Sequence, residues 1–171
     1  MDSVKDASNS SIKWLAKKVT GQHEGTINFQ KMDIQFDDAG TLTSANFTVD
    51  MTSINVTDLE GKSKGDLEGH LNSADFFNTA EHPVSGFKAT SIKSLGKGMY
   101  QVTGDLTIKD ITNPISFSAS AQKVDGKVVA TAKVTVDRSK YDVRYGSGSF
   151  FEGLGDKMIY DEFDLEINVT K

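Results

Sequence analysis

No cysteine occurs anywhere in the 171 residues. A disulfide framework, a cysteine-ligated zinc site and a thiol nucleophile are therefore excluded. Basic runs are equally scarce: Lys and Arg never stand more than two in succession, and the net charge is -5. A protein that grips phosphate backbones needs a basic face, so nucleic acid is not an expected partner. No apolar run approaches the roughly 20 residues that a membrane-spanning helix requires. Residues 1–11 are polar, rich in Ser, Asp and Asn, and lack the apolar h-region of a signal peptide. They are expected to form a flexible tether ahead of one domain over residues 12–171, long enough to bury a core.

What the chain does contain is two-residue alternation. Ile12 and Trp14 open a short strand, and Thr26-Ile27-Asn28-Phe29 and Met32-Asp33-Ile34-Gln35-Phe36 continue the pattern. The phase break between Phe29 and Met32 predicts a bulge or turn near Gln30-Lys31. Ala45, Phe47, Val49 and Met51 share one face, as do Tyr100, Val102, Gly104, Leu106 and Ile108. Ile115, Phe117, Ala119 and Ala121 form another such face. Val128, Ala130, Ala132, Val134 and Val136 follow after the hairpin signal Asp125-Gly126. The last strand sets Phe163, Leu165, Ile167 and Val169 inward. Phe87 and Ala89 alternate, with Val84 and Ile92 out of phase. The fold class read from this is all-β: an antiparallel barrel or sandwich of about eight strands joined by tight turns.

One stretch changes period. Over about residues 58–78, Leu67 and Leu71 stand four apart, and Phe76 and Phe77 follow Ser73, a candidate helix N-cap. Gly61, Gly65 and Gly69 weaken a helix by roughly 1 kcal/mol each, which predicts short helices and turns. Such an apolar insert among half-polar strands is suited to covering the end or edge of a sheet.

Two features favour a hollow barrel over a solid sandwich. Strands of about nine residues at roughly 3.3 Å each span some 30 Å, the length of an extended lipid tail. The inward parity is also rich in small residues, namely Ala45, Ala89, Gly104, Ala119, Ala121, Ala130 and Ala132. These leave volume that a ligand, or else a facing helix, must fill. The candidate lumen walls are Phe29, Phe47, Phe87, Val102, Leu106, Phe117, Ala119, Ala130, Ala132 and Phe163, with Trp14, Phe76 and Phe77 closing an end.

Chemistry-bearing motifs are weak by comparison. His23, His70 and His82 show no HxH or HExxH spacing, so no metal is expected, and structural hydrogen bonds are the simpler role. For His70 that role is to hold the insert against the barrel; His82 precedes Pro83 in a turn. Gly146-Ser147-Gly148-Ser149-Phe150 is neither a nucleophile elbow nor a dinucleotide fingerprint and reads as a mobile loop. The inward parities carry almost no polar residues, which argues against an enzyme acting on a lipid or quinone. Phe150 and Phe151 either plug the barrel or pack across a homodimer interface.

Several blocks then resemble the bacterial YceI-like proteins. They are Lys18-Val19-Thr20-Gly21-Gln22-His23-Glu24-Gly25, Val49-Asp50-Met51-Thr52-Ser53-Ile54 and Leu67-Glu68-Gly69-His70-Leu71-Asn72-Ser73-Ala74-Asp75-Phe76-Phe77, with His82-Pro83 after them. Val102-Thr103-Gly104-Asp105-Leu106-Thr107-Ile108-Lys109 and Asp137-Arg138-Ser139-Lys140-Tyr141 complete the set. The resemblance implies an extended lipocalin-like antiparallel barrel with a helical insert, binding a long isoprenoid, a quinone tail or another amphiphile. It carries over no catalytic residue and no cofactor. It implies a periplasmic setting, whereas the missing signal peptide leaves the cytoplasm open. A solid-core barrel acting through its surface is the remaining alternative.

Overall fold

The computed structural model describes residues 10–171. Of the tether expected over residues 1–11, residues 1–9 lie outside the described residues, and Ser11 already belongs to a strand, facing Asn168. The strands are β1 (Ser11–Lys18), β2 (Gly21–Phe36), β3 (Leu42–Val56), β4 (Val84–Gly96), β5 (Met99–Ile108), β6 (Ile111–Val124), β7 (Lys127–Asp137) and β8 (Ile159–Thr170). Each pairs antiparallel with the next, and β8 returns to β1 to close an eight-stranded barrel. One helix, α1 (Gly61–Asn72), is inserted between β3 and β4.

Period-2 alternation produces this barrel because one parity of every strand must leave water. Val102, Val136 and Val169, at 1–2% exposure, all lie on the inward parities read from the sequence. Phase breaks mark bulges. The β2–β3 register shifts between Phe29 and Lys31, and the β4–β5 register shifts between Ala89 and Ser91. The second shift returns Ile92 to the side of Phe87. At the β6–β7 hairpin Asp125 (φ 51°) and Gly126 (φ 80°) both take positive φ, as a type I′ turn demands.

The barrel has two dissimilar ends. Tight hairpins β2–β3, β4–β5 and β6–β7 close the hairpin end. At the insert end stand α1, the turns after it, and the long β7–β8 connection. Asp137 opens that connection by accepting from the backbone N–H of Ser139, and short 3₁₀ turns follow at Arg138–Tyr141 and Gly155–Lys157.

The insert differs from expectation at Ser73. It does not begin a helix but ends α1, its backbone N–H and Oγ both donating to His70 O at 3.1 and 2.6 Å. Phe76 and Phe77 therefore sit in turns, and Phe76 is buried. The helix packs on β3 where β4 no longer accompanies it: β4 pairs only with residues 46–50 of β3. Beyond that point Glu68 accepts from Val56 N (2.9 Å), and Lys64 Nζ donates to Val56 O (2.8 Å). Two side chains of α1 thus stand in for the missing strand.

Candidate functional site: the barrel lumen

Two cavities occupy the lumen end to end. The one at the hairpin end encloses about 110 Å³ between Phe29, Phe47, Phe87, Val102, Leu106, Phe117, Ala119, Ala130 and Ala132, among others. The one at the insert end encloses about 150 Å³ and is bounded by Trp14, Leu71, Phe76, Phe77, Leu106, Arg138, Ile159 and Phe163, among others. Ile12, Val49, Leu106, Val136 and Leu165 border both. An apolar cavity of about 150 Å³ stays dry and takes a benzene-sized hydrocarbon. The two lie in series along one apolar barrel and share part of their walls.

The hairpin-end wall is sheet throughout. Its phenylalanines form a continuous series, Phe29 to Phe47 at 5.5 Å, Phe47 to Phe87 at 6.3 Å and Phe87 to Phe117 at 5.4 Å between ring centroids. Phe87 and Phe117 lie on β4 and β6, so the Phe87 ring must reach across β5. Gly104 permits this, because a Cβ there would fall 2.5 Å from the ring. This corrects the expectation that Gly104 leaves free volume; the Phe87 ring occupies it. Ala89 does not border the cavity either, whereas Ala45, Ala119, Ala121, Ala130 and Ala132 do.

The insert-end wall draws on segments outside the sheet. Trp14 Nε1 donates to Thr26 O (3.1 Å), and its ring lies over Gly25, where a Cβ would sit 2.4 Å from it. Phe77 meets Phe163 edge-on at 6.3 Å. His70 does not bond the barrel: its Nε2 meets Asp75 within the insert at 3.1 Å, and its ring packs on Phe76 and Tyr145. His23 and His82 meet Asp58 and Asp110, at 2.9 and 3.2 Å. The three histidines thus serve three separate pairs. Among the described residues no group of three His, Asp or Glu gathers as a metal ion would need.

The lining of this cavity is almost wholly apolar, as the inward parities suggest, and the few polar side chains on it stand out. Arg138 is 4% exposed and borders it, as does Ser85 at 7%. The guanidinium donates to three backbone carbonyls, Val143 O (2.8 Å), Ile159 O (3.1 Å) and Tyr160 O (3.2 Å). Burial pulls it below its ordinary pKa, while Asp161 and Asp137 pull it back. An arginine nevertheless stays cationic at neutral pH. The Asp161 carboxylate accepts from the hydroxyls of Ser147 and Ser149. The Ser85 hydroxyl is shut off from solvent and has no partner, a state worth roughly 1–3 kcal/mol of instability. No base touches it, so it is not an activated nucleophile. The Tyr141 hydroxyl, buried behind this wall, is likewise unpartnered, and burial and Asp137 raise its pKa.

Both polar positions had a signal in the sequence. Arg138 continues the inward parity of Val134 and Val136, and Ser85 shares that of Phe87 and Ala89. Phe150 and Phe151 do not plug the barrel. They lie 41% and 50% exposed on the β7–β8 connection, with Arg144 stacked 4.6 Å over the Phe150 ring.

Relatives share this architecture. The structure resembles that of Burkholderia cenocepacia BcnA (TM-score 0.78, 21% identity, 96% of this chain and 97% of that one). It also resembles a polyisoprenoid binding domain from Saccharophagus degradans implicated in plant cell wall breakdown (TM-score 0.68, 14% identity, 96% and 94%). At such identities the likeness concerns the fold. In sequence, the chain is 33% identical to Protein YceI of Escherichia coli O157:H7 over 96 residues, 56% of this chain and 44% of that protein. It is 33% identical to a UPF0312 protein of Ectopseudomonas mendocina over 92 residues, 53% and 46%. The matches thus span about half the length of these curated relatives. The YceI-like domain model matches residues 4–171, and the chain belongs to the YceI-like domain family.

Proposed function

We propose that the protein binds the long apolar chain of an amphiphilic lipid, an isoprenoid or quinone tail in the first instance, inside the barrel and shields it from water as a carrier. The observation that carries this reading is the pair of serial cavities, walled by apolar side chains along nearly the whole barrel. The family membership and the structural likeness to a polyisoprenoid binding domain support it. The driving force is burial: at roughly 25 cal/mol per Å², enclosing some 400 Å² of tail is worth about 10 kcal/mol before ordering costs.

The alanines make the test. Ala130 and Ala132 face Ala121 and Ala119 across the β6–β7 pair, all four on the hairpin-end cavity. Ala130→Trp and Ala132→Phe fill that cavity and are expected to reduce lipid binding at least tenfold in native mass spectrometry while the far-UV spectrum is unchanged. Full binding by a folded Ala130→Trp protein would overturn the lumen as the site. Extraction of protein purified gently from its host then identifies the cargo.

A further inference from the structure

The two cavities differ in one respect that a hydrocarbon alone does not use. The hairpin-end cavity offers a chain nothing but apolar surface and the Thr131 position, whereas the insert-end cavity is bordered by the buried Arg138 and by Ser85, whose buried hydroxyl is free. A guanidinium carries five N–H donors. Val143, Ile159 and Tyr160 take one each, which leaves two. Those three acceptors are neutral carbonyls, and among the described residues no carboxylate lies within ion-pair distance of Arg138. Asp161, the strongest influence of opposite sign on Arg138, is engaged by Ser147 and Ser149. A cation buried beside apolar surface is unfavourable unless an anion completes it. The Ser85 hydroxyl points to the same conclusion from another strand, since it too has a donor with nothing to receive it.

We infer that the insert-end cavity is the head-group subsite, and that it selects an amphiphile ending in an oxyanion, a carboxylate or phosphate, held by Arg138 and Ser85. The tail then runs past Leu106 and Leu165 into the hairpin-end cavity, which fixes the direction in which the cargo lies. The inference rests on the reading of the lumen as a lipid site and adds polarity and head-group class to it. Arg138 also clamps the β7–β8 connection through its carbonyls, so a loss of stability on its replacement says nothing about ligand; head-group preference does.

The experiment titrates the protein, by native mass spectrometry, with phytane, phytanic acid and phytyl phosphate, which share one branched tail. The wild type is expected to bind at least one of the two acids roughly ten- to a hundredfold more tightly than phytane. Their mutual ranking tells which oxyanion the site fits. In Ser85→Ala that acid-to-hydrocarbon ratio falls several-fold, and in Arg138→Met it approaches one, with Arg138→Lys between them. Should Arg138→Met not fold, Ser85→Ala decides alone. Equal affinities for all three probes in the wild type overturn the subsite while leaving the lumen reading intact. A preference that survives Ser85→Ala and both Arg138 variants removes it from these residues. Failure to bind any probe overturns the lumen reading itself.

Discussion

The hairpin end of the lumen and its insert end are built by different means. At the hairpin end every wall residue belongs to a strand, so the backbone geometry of the sheet alone decides what faces inward. The insert end borrows Leu71, Phe76 and Phe77 from α1 and the turns after it, and Arg138 from the start of the β7–β8 connection. A regular ladder gives a uniform apolar surface. Irregular segments bring backbone carbonyls and polar side chains with them, and there the barrel acquires chemical character. In the proposed reading, one end takes the tail and the other distinguishes the head group.

The comparison breaks most visibly under truncation. Phe29 is 5% exposed and packs on Phe47, so Phe29→Ala is expected to destabilise the protein by about 3–5 kcal/mol in chemical denaturation. Phe77→Ala, at the insert end, removes a half-buried ring that already borders open space, and its effect should be clearly smaller. Equal losses would mean that the two ends are packed alike. A finer test uses Ser85→Ala, which deletes a buried hydroxyl that has no partner. Stability is expected to rise by about 1 kcal/mol, a gain opposed by poorer oxyanion binding.

The smallest effect concerns acid. Burial pushes the Asp161 carboxyl up, but the Ser147 and Ser149 hydroxyls and the charge of Arg138 outweigh this and hold it below its ordinary value. A carboxylate depressed in the folded state contributes stability above its unfolded pKa, near 3.9, and loses it as pH falls through the folded value. Stability should therefore be level through neutrality and decline below about pH 4. Asp161→Asn makes that decline shallower without removing it. Asp58 remains, also depressed: burial raises it, and the hydrogen bond and charge of His23 and the backbone outweigh that.

Legibility in the sequence follows the same division. Alternation identified the strands and the parity that faces inward, and even the bulge beside Gln30 announced itself as a slip of phase. The ten wall residues named from the sequence all border one cavity or the other. Their part in holding a ligand belongs to the proposal above. Ser73 was misread because a serine ahead of apolar residues fits a helix start as well as the helix end that it forms. Arg138 and Ser85 escaped notice for a different reason. Their parity was right, but a search for inward residues that looks for apolar side chains passes over them. Gly104 could not have been understood from its own strand, since what fills its space is a ring from the neighbouring strand β4.

Closure of β8 on β1 has a last consequence. An open sheet ends in a row of unpaired amides and carbonyls that can template the addition of another chain. Here the overhang of β3 past Asp50, beyond its pairing with β4, is met by Glu68 and Lys64 of α1 at Val56. While the barrel is intact, strand addition and cross-β growth have no full-length edge to start from. Two copies that associate through exposed side chains such as Phe150 and Phe151 can then part again without unravelling a ladder.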